Sequence, residues 1–465
     1  MPLPKSLAVN AWTGQPGPEG SPLSGSAGQW AVGRLPTHVL TLAPERLADL
    51  RDWRHPRVGW GLVLPERDDL PDAEKARAED APEAIQRLVR ERGDAPVFRH
   101  RPTGTIGHLR RYFIDGSAQD TSLVGSPRGV ARGHLPRYLL IYASPREISW
   151  SFQYRLQAVA FVGRLDLDPP GLDHYVEALL TDWQGGDRAA ADKALVWAVD
   201  HGGTDITRLM RHAIAAKVAS ELAGDAELAA GTRYIDGSQG GASANALADS
   251  LAELRPALVV TTSHGMTGPL DDVPAMAAQL GSPVDENHAV ADPEQLTASW
   301  SPAGAIWYSH ACCSAGSASE TAYDGLVEED SSVDLVIRGV TAVGDLVAPL
   351  PRALLGAERP LRAFIGQVEP TFDWTLRQQH TGQLLTSSLV DALYQRLYQP
   401  GPVAWALEEC HRHGPQLELL HQQAKTRFAA GDDSLGEMLA YRLMAQDRES
   451  LVILGDPTVG WIRAE

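Results

Sequence analysis

The second half of the chain alternates between short apolar runs and longer amphipathic stretches. Four runs have the length of a strand: residues 194–199, 232–235, 257–262 and 306–308; all but the second, which is Thr-Arg-Tyr-Ile, are apolar on both faces. Each gap between them contains a stretch with apolar residues at helical spacing: residues 207–222, 243–254 and 273–280. Strand–helix alternation with apolar strands predicts an α/β fold, in which a mostly parallel sheet is flanked by helices on both faces.

The first part of the chain shows fewer such elements. Residues 60–64, 138–142 and 158–165 are predicted strands, and residues 84–92 and 172–183 are predicted helices. Residues 11–35 are rich in glycine, proline and serine, and residues 115–135 in glycine, serine and arginine. Both segments are therefore predicted to be loops.

The segment after residue 312 is acidic and is predicted to be a solvated loop. Its acidic residues are Glu320, Asp324, Glu328, Glu329, Asp330 and Asp334. Residues 342–344 are a predicted short strand or turn, and residues 362–368 a predicted strand. Helices are predicted over residues 384–397 and, as a long polar pair, over residues 402–448. The apolar segment 451–457 follows them.

Composition and charge indicate a globular protein and argue against some classes of binding partner. The chain has 465 residues, of which 43% are hydrophobic and 22% charged, as in ordinary globular proteins. A formal net charge of −18 argues against a protein that binds nucleic acid or an anionic membrane through its whole surface. The first residues lack the pattern of a signal peptide, and no apolar run has membrane-spanning length. Three cysteines, two of them adjacent, cannot form a disulfide framework, so we expect a reducing, cytoplasmic location.

Two of the predicted strands end in residues that could react together. The third run leads into Ser263-His264-Gly265, and the fourth into His310-Ala311-Cys312. Because parallel strands carry their sites at the carboxyl edge of the sheet, an imidazole and a thiol would meet there, as a cysteine nucleophile needs. We predict Cys312 as the nucleophile and His264 as the general base. The N–H groups of Gly265 and Cys312 are predicted to form an oxyanion hole.

Cys313 is the alternative nucleophile, although alternation along an extended chain would point it away from Cys312. Small residues follow at positions 314–316 and leave room for a substrate. They would also allow a helix to begin there, and a helix N-terminus would favour the thiolate. A lone buried cysteine is usually structural, and it is the pairing with the His-Gly segment that favours catalysis here.

Further polar residues are predicted at the same sheet edge. His310 shares a face with Cys312 in an extended strand and could line the pocket for the substrate residue before the cleaved bond. Asp200, His201 and Asp205 follow the first run, and an acid there could receive a basic substrate side chain. A helix N-cap is an equally good interpretation of Asp205. A metal site built from His264, His310 and the two cysteines fits no usual zinc spacing, so no metal or other cofactor is predicted.

The His-Gly and Ala-Cys segments resemble those of the cysteine proteases that include caspases, metacaspases, gingipains, separase and bacterial caspase-like (CHAT) proteases. The histidine precedes the cysteine by 48 positions, close to the caspase spacing. Residues 138–145, 158–165 and 453–457 are similar to the strand-rich half and the end of gingipain-type enzymes. Caspases commonly have glutamine, and metacaspases aspartate, at the position of His310, so the resemblance implies no particular specificity.

This resemblance implies a caspase-like catalytic domain over residues 191–465, preceded by a smaller gingipain-like α/β half. The strand-rich part of that half covers residues 136–190, and residues 1–135 form a region of unknown role. The implied function is a regulated cytosolic endopeptidase that acts on protein substrates, with a stress or antiphage role by analogy. The segment from Glu320 to Asp334 is the candidate activation segment, and an activating protein partner is expected. The alternatives are an interaction protein without catalysis and a thiol-dependent amidase.

Overall fold

A computed structural model describes residues 48–105, 107–184, 188–378 and 380–462, together with two short strands nearer the start. Those strands, Ser6–Leu7 and Ser21–Pro22, pair antiparallel in a unit that covers residues 1–48. The rest of the predicted loop 11–35 lies outside the described residues. A second compact unit covers residues 49–465 and contains every other element below.

The second unit is built on one twelve-stranded sheet. In chain order its strands are β1 (Trp60–Pro65), β2 (Val97–His100), β3 (His108–Tyr112), β4 (Ala118–Ser122), β5 (Tyr138–Tyr142), β6 (Phe161–Leu165), β7 (Ala190–Ala198), β8 (Thr232–Asp236), β9 (Pro256–Thr262), β10 (Ile306–His310), β11 (Ala363–Gln367) and β12 (Leu451–Gly455). Across the sheet they lie in the order β8-β7-β9-β10-β11-β12-β6-β5-β1-β2-β3-β4.

Two parallel blocks make up this sheet. Strands β8, β7, β9, β10 and β11 are parallel to one another, and so are β12, β6, β5, β1 and β2. The pairing of β11 with β12 is antiparallel, as are the pairings of β2 with β3 and β3 with β4. The predicted α/β class with a mostly parallel sheet is therefore confirmed.

Helices flank the sheet and fill the connections. They are α1 (Asp72–Arg77), α2 (Glu83–Glu91), α3 (Trp150–Gln157), α4 (Gly171–Leu180), α5 (Ile206–Met210), α6 (Ala216–Gly224), α7 (Ala244–Leu254), α8 (Val273–Gln279), α9 (Pro293–Ser299), α10 (Ser332–Val343), α11 (Pro349–Leu355), α12 (Ser387–Asp391), α13 (Val403–Ala406), α14 (Glu408–Ala429) and α15 (Leu435–Ser450). Single π-helical turns, Arg211–Ala215 and Ala392–Arg396, follow α5 and α12. Within the described ranges, no helix is long and apolar enough to cross a membrane.

Some predicted elements are wrong. The loop predicted over residues 115–135 contains β4, an edge strand whose residues are mostly polar because it lies at the rim of the sheet. Residues 342–344 form no strand; they complete α10 and its Gly344 cap. The predicted acidic loop ends earlier than expected, since Asp334 lies in the first turn of α10 and pairs with Arg338.

A buried polar contact connects the end of β12 to β1, a more distant strand of the same block. Asp456, which directly follows β12, is fully buried and accepts a hydrogen bond of 3.0 Å from the Trp60 indole N–H. Its carboxylate also lies 3.2 Å from the Arg92 guanidinium. The Tyr175 hydroxyl accepts a hydrogen bond from the Asp456 backbone N–H at 2.7 Å. One residue at the end of β12 thus contacts β1, α4 and the residue that follows α2.

Candidate active site

The order of the strands reverses direction between β7 and β9. The chain passes from β7 to β8 on one side and then returns to β9 on the other. Helices that follow strands on opposite sides of such a point leave a cleft between them, where α/β proteins place their sites. The loops after β7, β9, β10 and β11 all open at this edge.

The register of the strands brings His264 level with Cys312. Thr262 of β9 pairs with His310 of β10, and each predicted catalytic residue lies two positions beyond. The backbones also touch here, because a Cβ added to Gly265 would lie 2.0 Å from the Cys312 carbonyl oxygen. Only a glycine allows this approach, so the residue after the histidine holds the two segments side by side.

The turn that contains Cys312, residues 311–315 and here called the cysteine loop, presents its two thiols differently. Cys312 is half-buried, whereas Cys313 adopts a left-handed backbone with φ of +57° and is fully buried. Cys313 packs among Met276, Leu280 and Val340. Burial raises the pKa of the Cys313 thiol well above its usual range. A thiol that stays protonated in an apolar cluster is a poor nucleophile, which favours Cys312.

The helix expected after Cys312 is not there. Residues 311–315 form turns, and Gly316–Ser317 pairs antiparallel with Leu346–Val347. No helix begins here because Ser314 is bonded to two strands of the sheet. Its hydroxyl donates to the Ser309 carbonyl of β10 and accepts the Gln367 N–H of β11, both at 3.0 Å. In place of a helix terminus, the backbone N–H of Thr371 points at the Cys312 sulfur at 3.4 Å. Such a donor interacts more strongly with a thiolate than with a thiol.

His264 is held by a carboxylate. Its Nε2 lies 3.0 Å from Oδ2 of Asp205, and its side chain is 36% exposed. Burial alone would raise the pKa of Asp205, but hydrogen bonds from the Thr207 hydroxyl and N–H, with His264 beside it, lower this pKa to about 2. The ionised carboxylate therefore accepts the Nε2 proton. This assigns the tautomer of His264 and leaves the Nδ1 lone pair free to take a proton.

Asp205 is the helix N-cap that was one of its two interpretations, and it also contacts His264, which the sequence did not reveal. It is the N-cap of α5, since Oδ1 accepts the Thr207 N–H at 2.8 Å. Its other oxygen orients His264, which was not predicted. Asp200 is occupied elsewhere, because Arg211 donates to its Oδ2 at 2.8 Å and the Gly202 N–H to its Oδ1 at 2.8 Å. The predicted substrate contacts of both aspartates stay predictions.

His310 lies in the interior, with 2% of its surface exposed. It shares a hydrogen bond of 2.9 Å with the Tyr308 hydroxyl, and burial lowers the pKa of its imidazole to about 4. A substrate side chain could reach this neutral ring only after neighbouring side chains moved. The predicted pocket role of His310 stays a prediction.

Sequence reasoning missed two residues after β11. Thr371 contacts the Cys312 sulfur, and Glu369, which is 5% exposed, accepts the Cys313 N–H through its backbone carbonyl at 3.4 Å. Burial raises the pKa of the Glu369 carboxyl to about 7. The available signal was the polar sequence Glu-Pro-Thr directly after the predicted strand 362–368.

The imidazole of His264 belongs to a group of three stacked imidazoles. The His201 ring is 5.3 Å from that of His264 and 4.4 Å from that of His288, nearly parallel to both. Among the described residues, His201, Asp205 and His264 form a group whose ligand atoms all lie within 4.8 Å of one another, as a metal ion would require. This group differs from the cysteine-containing one considered from the sequence.

No protein-family model matches the chain, and no curated protein matches it significantly.

Proposed function

We propose that this protein is a cysteine endopeptidase that uses Cys312 as nucleophile and His264 as general base and acid. The observation that carries the proposal is the register of β9 and β10, which sets His264 level with Cys312 at the carboxyl edge of the sheet. The Asp205 carboxylate that orients His264 completes the arrangement by which a base is prepared for a nucleophile.

In the proposed reaction, Nδ1 of His264 takes the Cys312 thiol proton and the sulfur attacks the peptide carbonyl carbon. The N–H groups of Cys312 and Gly265 hold the oxyanion. His264 then gives its proton to the leaving amine as the C–N bond breaks, which leaves a thioester on Cys312. Water, deprotonated by His264, attacks the thioester, and the acid product and the thiol are released.

The accessibility of the pair favours a polypeptide substrate over a small amide. His264 is 36% exposed and Cys312 is half-buried, so both can be approached from solvent. A polypeptide can lie across such an open edge, whereas small-molecule sites usually enclose most of their ligand. The proposal includes a protein substrate and, by the resemblance of the two motifs, a regulated activity in the cytoplasm.

The test is digestion of a denatured protein mixture by the purified full chain, with mass spectrometry of the new termini. Cys312→Ala is the inactive variant and Cys313→Ala its matched control. Cleavage by wild type and Cys313→Ala, but not by Cys312→Ala, would support the proposal, and the new termini would give the preferred residue.

Labelling with an electrophilic peptide probe distinguishes the remaining alternatives. A chain that cuts nothing yet is labelled at Cys312 requires an activator. A chain that neither cuts nor labels is the non-catalytic interaction protein, and one that releases ammonia from small amides but leaves proteins intact is an amidase. Either of these last results overturns the endopeptidase proposal.

A further inference from the structure

We propose that His201, Asp205 and His264 bind a zinc ion that switches off the dyad. The inhibition of catalysis rests on the proposed function of His264. The binding of zinc does not depend on that function. The proposal goes beyond that function because it assigns a ligand and an inhibitor class to residues next to the reacting atoms.

The distances suit zinc. In a tetrahedral site with zinc–ligand distances of about 2.0–2.1 Å, neighbouring ligand atoms are separated by about 3.3 Å. Nε2 of His264 is 3.0 Å from Oδ2 of Asp205, and Nδ1 of His201 is 3.9 Å from Oδ1 of Asp205. These two distances go to different oxygens of Asp205, and one ligand atom from each of the three residues lies within 4.8 Å of the others. Rotation of the His264 and Asp205 side chains would bring the three ligands together and leave a fourth position for water.

His201 supplies a second, independent indication of a ligand. Its side chain is 9% exposed, and within the described part of the chain its Nδ1 has no hydrogen-bond partner. Buried polar atoms without partners are rare and costly. Here the orphaned atom faces the Asp205 carboxylate, where a cation would satisfy both groups.

The other nitrogen of His201 is held as in metal-binding histidines. Nε2 lies 3.0 Å from the Asp285 carbonyl oxygen, so it carries the proton and leaves a lone pair on Nδ1. That carbonyl is fixed because the buried Asp285 carboxylate accepts N–H groups of Ala244, Asn287 and Ala289. His288 stacks on the far face of the ring. The ligand is thus oriented before any metal arrives.

Zinc at this site would change the tautomer of His264. Without metal, the Nε2 proton is donated to Asp205 and Nδ1 can accept the thiol proton. With zinc on Nε2, the neutral ring carries its single proton on Nδ1, transferred through solvent, and no lone pair remains for Cys312. The general base is lost although neither thiol is touched.

The first measurement is calorimetric titration of zinc chloride into the full-length Cys312→Ala protein, which excludes the nucleophilic thiol as a ligand. We expect one equivalent to bind. Adding His201→Ala should weaken binding about 100-fold or more, since even outer partners of ligating histidines are worth 10- to 100-fold. His288→Ala is the matched control, which removes a stacked imidazole but no ligand. Magnesium should not compete, because it prefers oxygen ligands.

The second measurement is the rate at which iodoacetamide alkylates Cys312 in otherwise wild-type protein. Saturating zinc should slow alkylation at least tenfold, and His201→Ala should abolish that protection at the same zinc concentration. His201→Gln, which keeps the bulk of the side chain, repeats the test if the alanine variant unfolds.

Each other outcome overturns part of the proposal. Absence of zinc binding, or binding that survives His201→Ala, refutes the site. Binding without protection of Cys312 refutes the regulation, and activation by zinc would make the ion a catalytic one. A protein that binds zinc as expected, but neither cleaves peptides nor is labelled at Cys312 by the electrophilic probe, would refute the proposed protease function alone.

Discussion

Asp205 connects the helix after β7 to the imidazole after β9. One carboxylate oxygen caps α5, and the other accepts the His264 proton. An aspartate at a cap is usually explained by the cap alone, which costs about 1 kcal/mol to remove. The second contact gives this residue a role in the orientation of the His264 imidazole.

Substituting Asp205→Asn should therefore separate the two roles. Asparagine remains a good N-cap, so stability should change little. The proposed peptidase rate should fall about 10- to 100-fold, because a hydrogen bond to a charged group contributes about 1.5–3 kcal/mol and this one is partly exposed. The measurement is kcat/KM on a peptide made from an observed cleavage site. Asp292→Asn, the corresponding change at the N-cap of α9, is the control and should leave the rate unchanged.

Glu369 makes stability depend on pH. Its pKa rises from an ordinary 4.5 to about 7 because the carboxyl is buried, so the folded state favours the protonated form. Its contribution to stability is fully present below pH 4.5 and is lost as the pH rises through 7. Glu369→Gln cannot ionise, so it should be more stable than wild type above pH 7, by up to about 3 kcal/mol.

Urea unfolding at several pH values between 5 and 8 measures this difference. The gap between wild type and Glu369→Gln should widen with pH over that range. Glu294→Gln, which changes an exposed glutamate of α9, should show no such trend. If the curves of wild type and Glu369→Gln run parallel, the buried carboxyl does not titrate as described.

At this scale, the sequence points to the proposed reacting residues more readily than to the residues that contact them. His264 and Cys312 follow apolar strands and stand out by type, whereas Asp205 looks like any helix cap. Thr371 acts through its backbone N–H, which every residue but proline has, so no residue type could reveal it. His310 was placed by strand alternation alone, which gives a face of the sheet but not what covers that face.

At the scale of elements, the cysteine loop is fixed by close backbone contacts. A Cβ on Gly265 would lie 2.0 Å from the Cys312 carbonyl oxygen, and one on Gly281 2.0 Å from that of Cys313. The loop is thus clamped on two sides by neighbouring chain segments. This arrangement keeps the position of the thiol independent of long, mobile side chains.

Gly265→Ala should push the histidine segment away from the cysteine loop. Backbone atoms cannot move aside as a side-chain end can, so the free energy of unfolding should fall by about 1–3 kcal/mol, the usual cost of overpacking. The alkylation rate of Cys312 should fall as well. Gly224→Ala, at the end of α6 with nothing within 4 Å, is the control for both measurements. A stable Gly265→Ala protein with normal thiol reactivity would contradict this account.

Strands in the interior of the sheet were predicted well from their apolar residues, whereas the strand at the edge of the sheet was not. The strands β9 and β10 are apolar on both faces because they are buried on both faces, so composition alone identifies them. β4 reads Ala-Gln-Asp-Thr-Ser and looks like a loop, since a solvated edge strand needs few apolar residues. The helix expected after Cys312 failed because Ser314 bonds across strands, a contact between distant segments.

At the scale of the whole molecule, the fully buried Asp456 connects the end of β12 to β1, which lies three strands away in the same block. It contacts Trp60 of β1 and the guanidinium of Arg92, which is itself stacked on the Trp60 ring at 4.5 Å. Removing one partner of a buried ion pair leaves the other charge uncompensated. The cost of such a change should therefore extend from the end of β12 to β1.

Asp456→Ala should lower the free energy of unfolding by about 3–5 kcal/mol, because Arg92 would remain buried without its partner. Adding Arg92→Met should recover much of that loss, since an apolar residue tolerates the site. Thermal unfolding of the two variants and wild type measures this. A double variant less stable than Asp456→Ala would show that the ion pair is not the reason.

The place of β12 has a consequence for synthesis. This strand lies between β11 and β6, in the middle of the sheet, yet it is translated after the other eleven. Until β12 has been synthesised, no strand lies between β11 and β6 to join the two sides of the sheet. A truncated chain that ends before residue 451 lacks β12, so β11 and β6 cannot be joined in one sheet. Translation order thus delays assembly of the full molecule until the sheet has its last strand.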